Sequence, residues 1–94
     1  MAITRRSVVM IAPEQFSCDL SGEAAILSLT SSAYYGLNAV GARIWDLIRQ
    51  PQTVQQVLDR LLAEYDVQSD RCEADLMALL QELEAEGLVE IRND

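Results

Sequence analysis

SSAYYGLNAVGARIWDLI, residues 31–48, decides how this chain is read. Its first half alternates like a strand: Tyr34 and Tyr35 have high β propensity and point to opposite faces. Its second half has a helical period, with Val40, Ile44, Leu47 and Ile48 on one face and Trp45 at the margin, Ile44 and Trp45 being expected in the core. Asn38 stands at the change-over as an N-cap. Pro51 disfavours the helical region for Gln50, so the helix is expected to stop near there.

The strand pattern extends toward the N-terminus. In QFSCDL (15–20), Phe16, Cys18 and Leu20 share one face and Ser17 and Asp19 the other. SGE at 21–23 is a turn signal. AAILSL (24–29) follows, with Ala25, Leu27 and Leu29 on one side, and TSS leads into AYYGL (33–37). Short connections between alternating segments predict an antiparallel meander with AYYGL at its edge. VVMI at 8–11 reads as a further short strand before Pro13.

Toward the C-terminus the pattern is helical. Thr53 opens a second helix with Gln56 at capping-box spacing. Val54, Val57, Leu58, Leu61, Leu62 and Tyr65 form its apolar stripe. After the loop DVQSD, Asp70 is expected to cap a third helix with the stripe Leu76, Leu79, Leu80 and Leu83. Gly87 ends it as a C′ residue, and LVEI at 88–91 adds a short strand. The expected fold is α+β and winged helix-turn-helix-like, a three-stranded antiparallel sheet followed by three helices.

Composition narrows the function. Ninety-four residues make one domain, and 50% hydrophobic content argues against disorder. Fifteen acids oppose seven bases, all arginine, for a net charge of −8. On the third helix Arg71 and Gln81 stand against Glu73, Asp75, Glu82, Glu84 and Glu86; the second has Arg60 beside Asp59 and Glu64. Such faces repel phosphate, which argues against nucleic acid as a partner. An acyl-carrier bundle would need a helix opening with Asp-Ser-Leu, which SDRCEADL does not supply, and would not contain three strands. There is no histidine to serve as a base or to complete a zinc site. Cys18 and Cys72, far apart and outside any CxxC pair, read as reduced, largely buried thiols. The apolar run near the start is too short for a signal segment, and no stretch suits a membrane span. The expectation is a cytoplasmic protein without enzymatic activity, cofactor or metal.

A binding module remains. An edge strand offers unpaired N–H and C=O groups that another chain can extend, and Gly36 lets a neighbouring backbone approach. The residue pattern leaves a plainer alternative open, in which the tyrosines cap the core and Gly36 is a bulge.

The ordered set YYGLNAVGARIWDLI, PQTVQQVLDRLLAEYDV and DLMALLQELEAEGLV resembles the PqqD-like family of peptide-binding domains, the recognition elements for precursors of ribosomally made, modified peptides. The resemblance runs from about Phe16 to Val89, in a domain whose core spans about 15–91. Leu-Asn before the first helix, Gly-x-x-Ile-Trp within it, Pro-x-Thr-Val, Tyr-Asp-Val and Gly-Leu-Val carry it. YYGLN, GARIWDLI and the free-standing length most resemble the small leader-binding half of split lasso-peptide proteases. The resemblance implies a three-stranded sheet with three helices, and binding without catalysis. The leader of a precursor peptide would add as a strand to the third strand and fill the groove beside the third helix. Carried over, the edge is Ser32, Ala33, Tyr34, Tyr35, Gly36 and Leu37, and the wall is drawn from Arg71, Asp75, Leu76, Leu79 and Leu83. For lasso leaders it also implies an aromatic and proline-containing anchor motif and a separate leader peptidase as partner. In this context the tyrosines gain a role at the leader site, although only one can face the groove. The alternative is an adaptor of the same fold serving another peptide-modifying enzyme.

Overall fold

The computed structural model describes residues 3–13, 15–20, 23–28 and 34–93. The meander is present: β2 (Gln15–Leu20), β3 (Glu23–Ser28) and β4 (Tyr34–Leu37) pair antiparallel in that order. Residues 21, 22 and 29–33 lie outside the described set, as do the side chains of Phe16, Cys18 and Leu20. On β3 the buried residues are Ala24 and Ile26, whereas Leu27 is exposed. The core therefore takes the face opposite to the expected Ala25–Leu27–Leu29 grouping. The register explains it, because Ile26 pairs with Tyr35 and Ala24 with Leu37, the inward residues of β4.

A second sheet was only partly foreseen. β1 (Val8–Ile11) lies between β5 (Gln52–Thr53) and β6 (Val89–Arg92), antiparallel to both. The expected strands at 8–11 and 88–91 are thus partners of one another, and a two-residue strand follows Pro51. Ser7 fastens this corner. Its buried hydroxyl accepts from the Thr4 amide at 2.9 Å and donates to Asn93, and its carbonyl accepts from the Val54 amide at 2.9 Å. The order is β-β-β-β-α-β-α-α-β, not three strands then three helices.

The helices are α1 (Ala39–Leu47), α2 (Val54–Glu64) and α3 (Ser69–Ala85). Asn38 caps α1, its side chain accepting from the Gly41 amide at 2.9 Å. α1 ends three residues before the expected Gln50. The Arg49 amide bonds back to the Asp46 carbonyl at 3.4 Å, tightening the last turn ahead of Pro51. Its buried face is Gly41, Ile44, Trp45 and Ile48; Ile44 and Trp45 are in the core as expected, at 3% and 1% exposed, while Val40, expected on the same face as Ile44, is 43% exposed. The capping box on α2 is as expected: Thr53 Oγ1 accepts from the Gln56 amide at 3.1 Å, and Gln56 Oε1 accepts from the Thr53 amide at 2.9 Å. Val54, Val57, Leu58 and Leu61 are buried. α3 starts one residue ahead of Asp70, with Gln68 as N-cap, and buries Leu76, Leu80 and Leu83. Gly87, at φ 74°, closes it: the Leu88 amide bonds to the Leu83 carbonyl and the Gly87 amide to the Glu84 carbonyl, both at 2.9 Å. This is a Schellman motif, with Leu88 and Leu83 both in the core. α1 packs on β3 and β4, α2 on α1 and α3, and α3 on β6.

Two double hydrogen-bonded ion pairs clamp the outside. Arg5 donates to Glu73 at 2.8 and 2.6 Å, and Arg43 to Glu64 at 2.8 and 2.7 Å. The arginine hydrogen bonds hold both glutamates below the usual carboxylate range. Folded-state values below the unfolded ones mean that the pairs favour folding above the ordinary glutamate pKa. That contribution fades as pH falls through the lowered values.

Two substitutions measure the local signals. Thr53→Ala removes an N-cap and is expected to cost about 1 kcal/mol. Gly87→Ala forces a Cβ into the left-handed region, with open space around it, and is expected to cost about 1–2 kcal/mol from backbone strain alone. Urea denaturation checks both: midpoints should fall with the slope unchanged.

Candidate functional site

β4 lies at one edge of its sheet, hydrogen-bonded to β3 on one side, with no second strand beside it among the described residues. An edge strand carries backbone donors and acceptors on its outer side. Exposure alternates along it: Tyr34 is 70% exposed, Tyr35 is half-buried, Gly36 is exposed and Leu37 is buried. The paired tyrosines therefore divide, Tyr35 inward and Tyr34 outward. A Cβ on Gly36 would meet only the Tyr34 ring, at 3.9 Å, so the fold itself does not demand glycine there.

Beside β4 runs a groove of about 490 Å³. β4 supplies Tyr35, Gly36 and Leu37; α1 supplies Val40, Gly41 and Ile44, with Asn38 at its start. Leu61 and Tyr65 come from the end of α2 and Val67 from the loop beyond. Arg71, Cys72, Asp75, Leu76 and Leu79 come from α3. Buried Gly41, Ile44, Leu61 and Leu76 make the base, half-buried Tyr35, Tyr65, Cys72 and Leu79 the walls, and exposed Val40, Val67, Arg71 and Asp75 the rim.

The polar groups are few. The Tyr35 hydroxyl donates to Glu82 Oε2 on α3 at 2.5 Å. That bond first, then burial, pushes the Tyr35 pKa up to about 12, so the hydroxyl keeps its proton at neutral pH. Burial and then Asp75 push the Cys72 thiol up, which keeps it a thiol. Arg71 and Asp75 form a loose, exposed ion pair at 3.9 Å. The lining thus offers apolar surface, a row of backbone groups and two opposite charges at the rim, but no activated nucleophile with a base. A second cleft, of about 560 Å³, is lined by Arg43, Asp46, Arg49, Arg60, further polar groups, Leu47 and Val57, and its arginines are engaged by Asp46 and Glu64.

Of the residues expected at the site, Tyr35, Gly36, Leu37, Arg71, Asp75, Leu76 and Leu79 come together in this groove. Tyr34 is on the outer face of the same strand. Ser32 and Ala33 lie outside the described residues. Leu83, expected in the wall, is completely buried in the core and does not line the groove. Sequence reasoning missed the contributions of α1 and α2, and also Cys72, which was expected to be merely buried. Val40 and Val67, apolar yet exposed, mark these contributions once the helices are placed, and nothing in the sequence shows that exposure.

The model of the family described as coenzyme PQQ synthesis protein D (PqqD) matches residues 23–89. No curated protein matches. Among solved structures, TbiB1 in complex with the TbiA(beta) leader peptide is 33% identical; the match covers 90% of this chain and 99% of that one, with a TM-score of 0.83. Lasso peptide synthetase B1 complexed with the leader peptide shares the fold at 24% identity, covering 87% of this chain and 96% of that one, with a TM-score of 0.77. The chain belongs to the PqqD family, the family its ordered motifs resemble.

Proposed function

We propose that this protein captures the leader segment of a ribosomally made precursor peptide and presents it to a separate processing enzyme, a leader peptidase of lasso-peptide type. The leader adds as a strand to the free edge of β4 and sends alternate side chains into the groove beside α3. The observation that carries this reading is the juxtaposition of an open strand edge with an apolar groove along its length. Backbone pairing then gives affinity and the groove gives sequence preference. The similar chains bound to leader peptides support the same reading. The protein acts by binding, not by turnover. On this reading the scaffold is a winged helix-turn-helix variant, with α2 and α3 joined by a short connection and β6 returning from α3 to β1.

Amide exchange is the direct test, with the TbiA(beta) leader peptide as the first probe. Alternate amides within Tyr34–Leu37 should gain protection when the peptide binds. Saturable binding with protection confined to α2 would sink strand addition.

Leu79→Asp should weaken peptide binding by roughly 30-fold or more, on the order of 2 kcal/mol for an unpaired charge among apolar groups. Because Leu79 is half-buried and Leu80 fully buried, Leu79→Asp should lower Tm less than Leu80→Asp does. Equal losses of Tm would place Leu79 in the core, not in the groove.

In a Cys18→Ser background, Cys72 should alkylate slowly, its thiol being half-buried and raised in pKa. Bound peptide should slow the reaction further. An unchanged rate at saturating peptide would mean that the groove stays empty.

A further inference from the structure

Strand addition alone does not fix register. Backbone groups and side-chain facing both repeat every two residues, so an added strand can slide by two and keep its hydrogen bonds. A fixed feature has to mark where the groove-filling side chains stop.

The groove's two ends differ. At one end Val67 is half-exposed and the Arg71 side chain is 82% exposed. At the other, the α3 lining stops at Leu79, and three residues on, Glu82 receives the hydroxyl of Tyr35 from the opposite wall. This bond joins β4 to α3 across 47 residues of sequence. It is an exposed contact, so its loss leaves the core intact.

We infer that the Tyr35–Glu82 hydrogen bond, resting on strand addition to β4 as proposed above, is the end stop of the groove. It holds β4 and α3 at a set separation and selects one register of the bound peptide. Tyr35 and Glu82 are positioning residues. A peptide whose apolar side chains run two residues past Tyr35 meets the bar; without the bar, that slipped register becomes accessible.

The test uses the full chain and the TbiA(beta) leader peptide carrying a nitroxide at one end. Tyr35→Phe keeps the ring and loses the bond. Glu82→Ala removes the acceptor from an exposed site and guards against a folding defect in the first variant. Glu82→Gln keeps an acceptor oxygen. Each of the first two should weaken binding about three- to tenfold net, because the free groove is no longer held at the separation the peptide needs, and a second register of equal strength recovers only about a factor of two. The double variant should be no worse than either single, and Glu82→Gln should recover most of the affinity, all at unchanged Tm. Paramagnetic broadening should be confined to one place along β4 and α3 in the wild type. In Tyr35→Phe it should spread over two places separated by roughly 7 Å, a two-residue slip. One register and wild-type affinity in Tyr35→Phe, or additive losses in the double variant, would overturn the end stop while leaving strand addition standing. No saturable binding by the wild type would overturn the leader reading and the end stop with it.

Discussion

The contact on which the site depends is the packing of the first turn of α1 against the end of β4. A Cβ on Gly41 would lie 3.2 Å from Leu37 Cδ2 and 3.3 Å from Leu37 Cβ, so glycine is what lets the helix start this close. Asn38 makes the turn in a single residue, ending the strand and capping the helix. The strand edge and the apolar face of α1 are therefore set by consecutive residues and cannot drift apart. α2 and α3 then only have to cover the remaining side, which Leu61, Leu76 and Leu79 do.

α3 divides its circumference among three tasks. Leu76, Leu80 and Leu83 enter the core, Cys72, Asp75 and Leu79 face the groove, and Glu73 takes the Arg5 clamp. That division accounts for a weak amphipathic pattern on a long helix: two apolar surfaces lie side by side, one buried by the fold and one left partly open. It also accounts for Leu83, which continues the Leu76 line by two turns and so stays with the core.

Local chemistry was legible in the sequence. The caps at Asn38 and Thr53 and the stop at Gly87 each depend on residues within a few positions, and each bonds as its type predicts. The meander and the edge position of β4 were legible too, since hairpin pairing follows short connections. Pairing across the whole chain was not. Nothing local tells Val8 that its neighbour is Arg92, nor that Thr53 will sit on the other side. Faces were the other gap. Ala25 and Leu27 look as apolar as Ala24 and Ile26, and only the register with β4 selects the inner pair. On α1, Ile44 and Trp45 are in the core as expected, and Val40 alone leaves its expected face, because the helix is oriented by Gly41 against Leu37. The groove inherits that uncertainty: its strand and α3 walls came from the family pattern, while its α1 and α2 contributions required the tertiary arrangement.

The pairing of β1 with β6 has a topological consequence. Val8 and Arg92 face each other across one ladder, in a sheet separate from the one that carries β4. Directly opposed antiparallel residues lie about 5 Å apart. A host polypeptide can therefore enter and leave this domain at nearly one point, with β4 carried on the other sheet. The unit is in effect a cassette, suited to insertion in a surface loop of a larger enzyme or to circular permutation with new ends opened elsewhere.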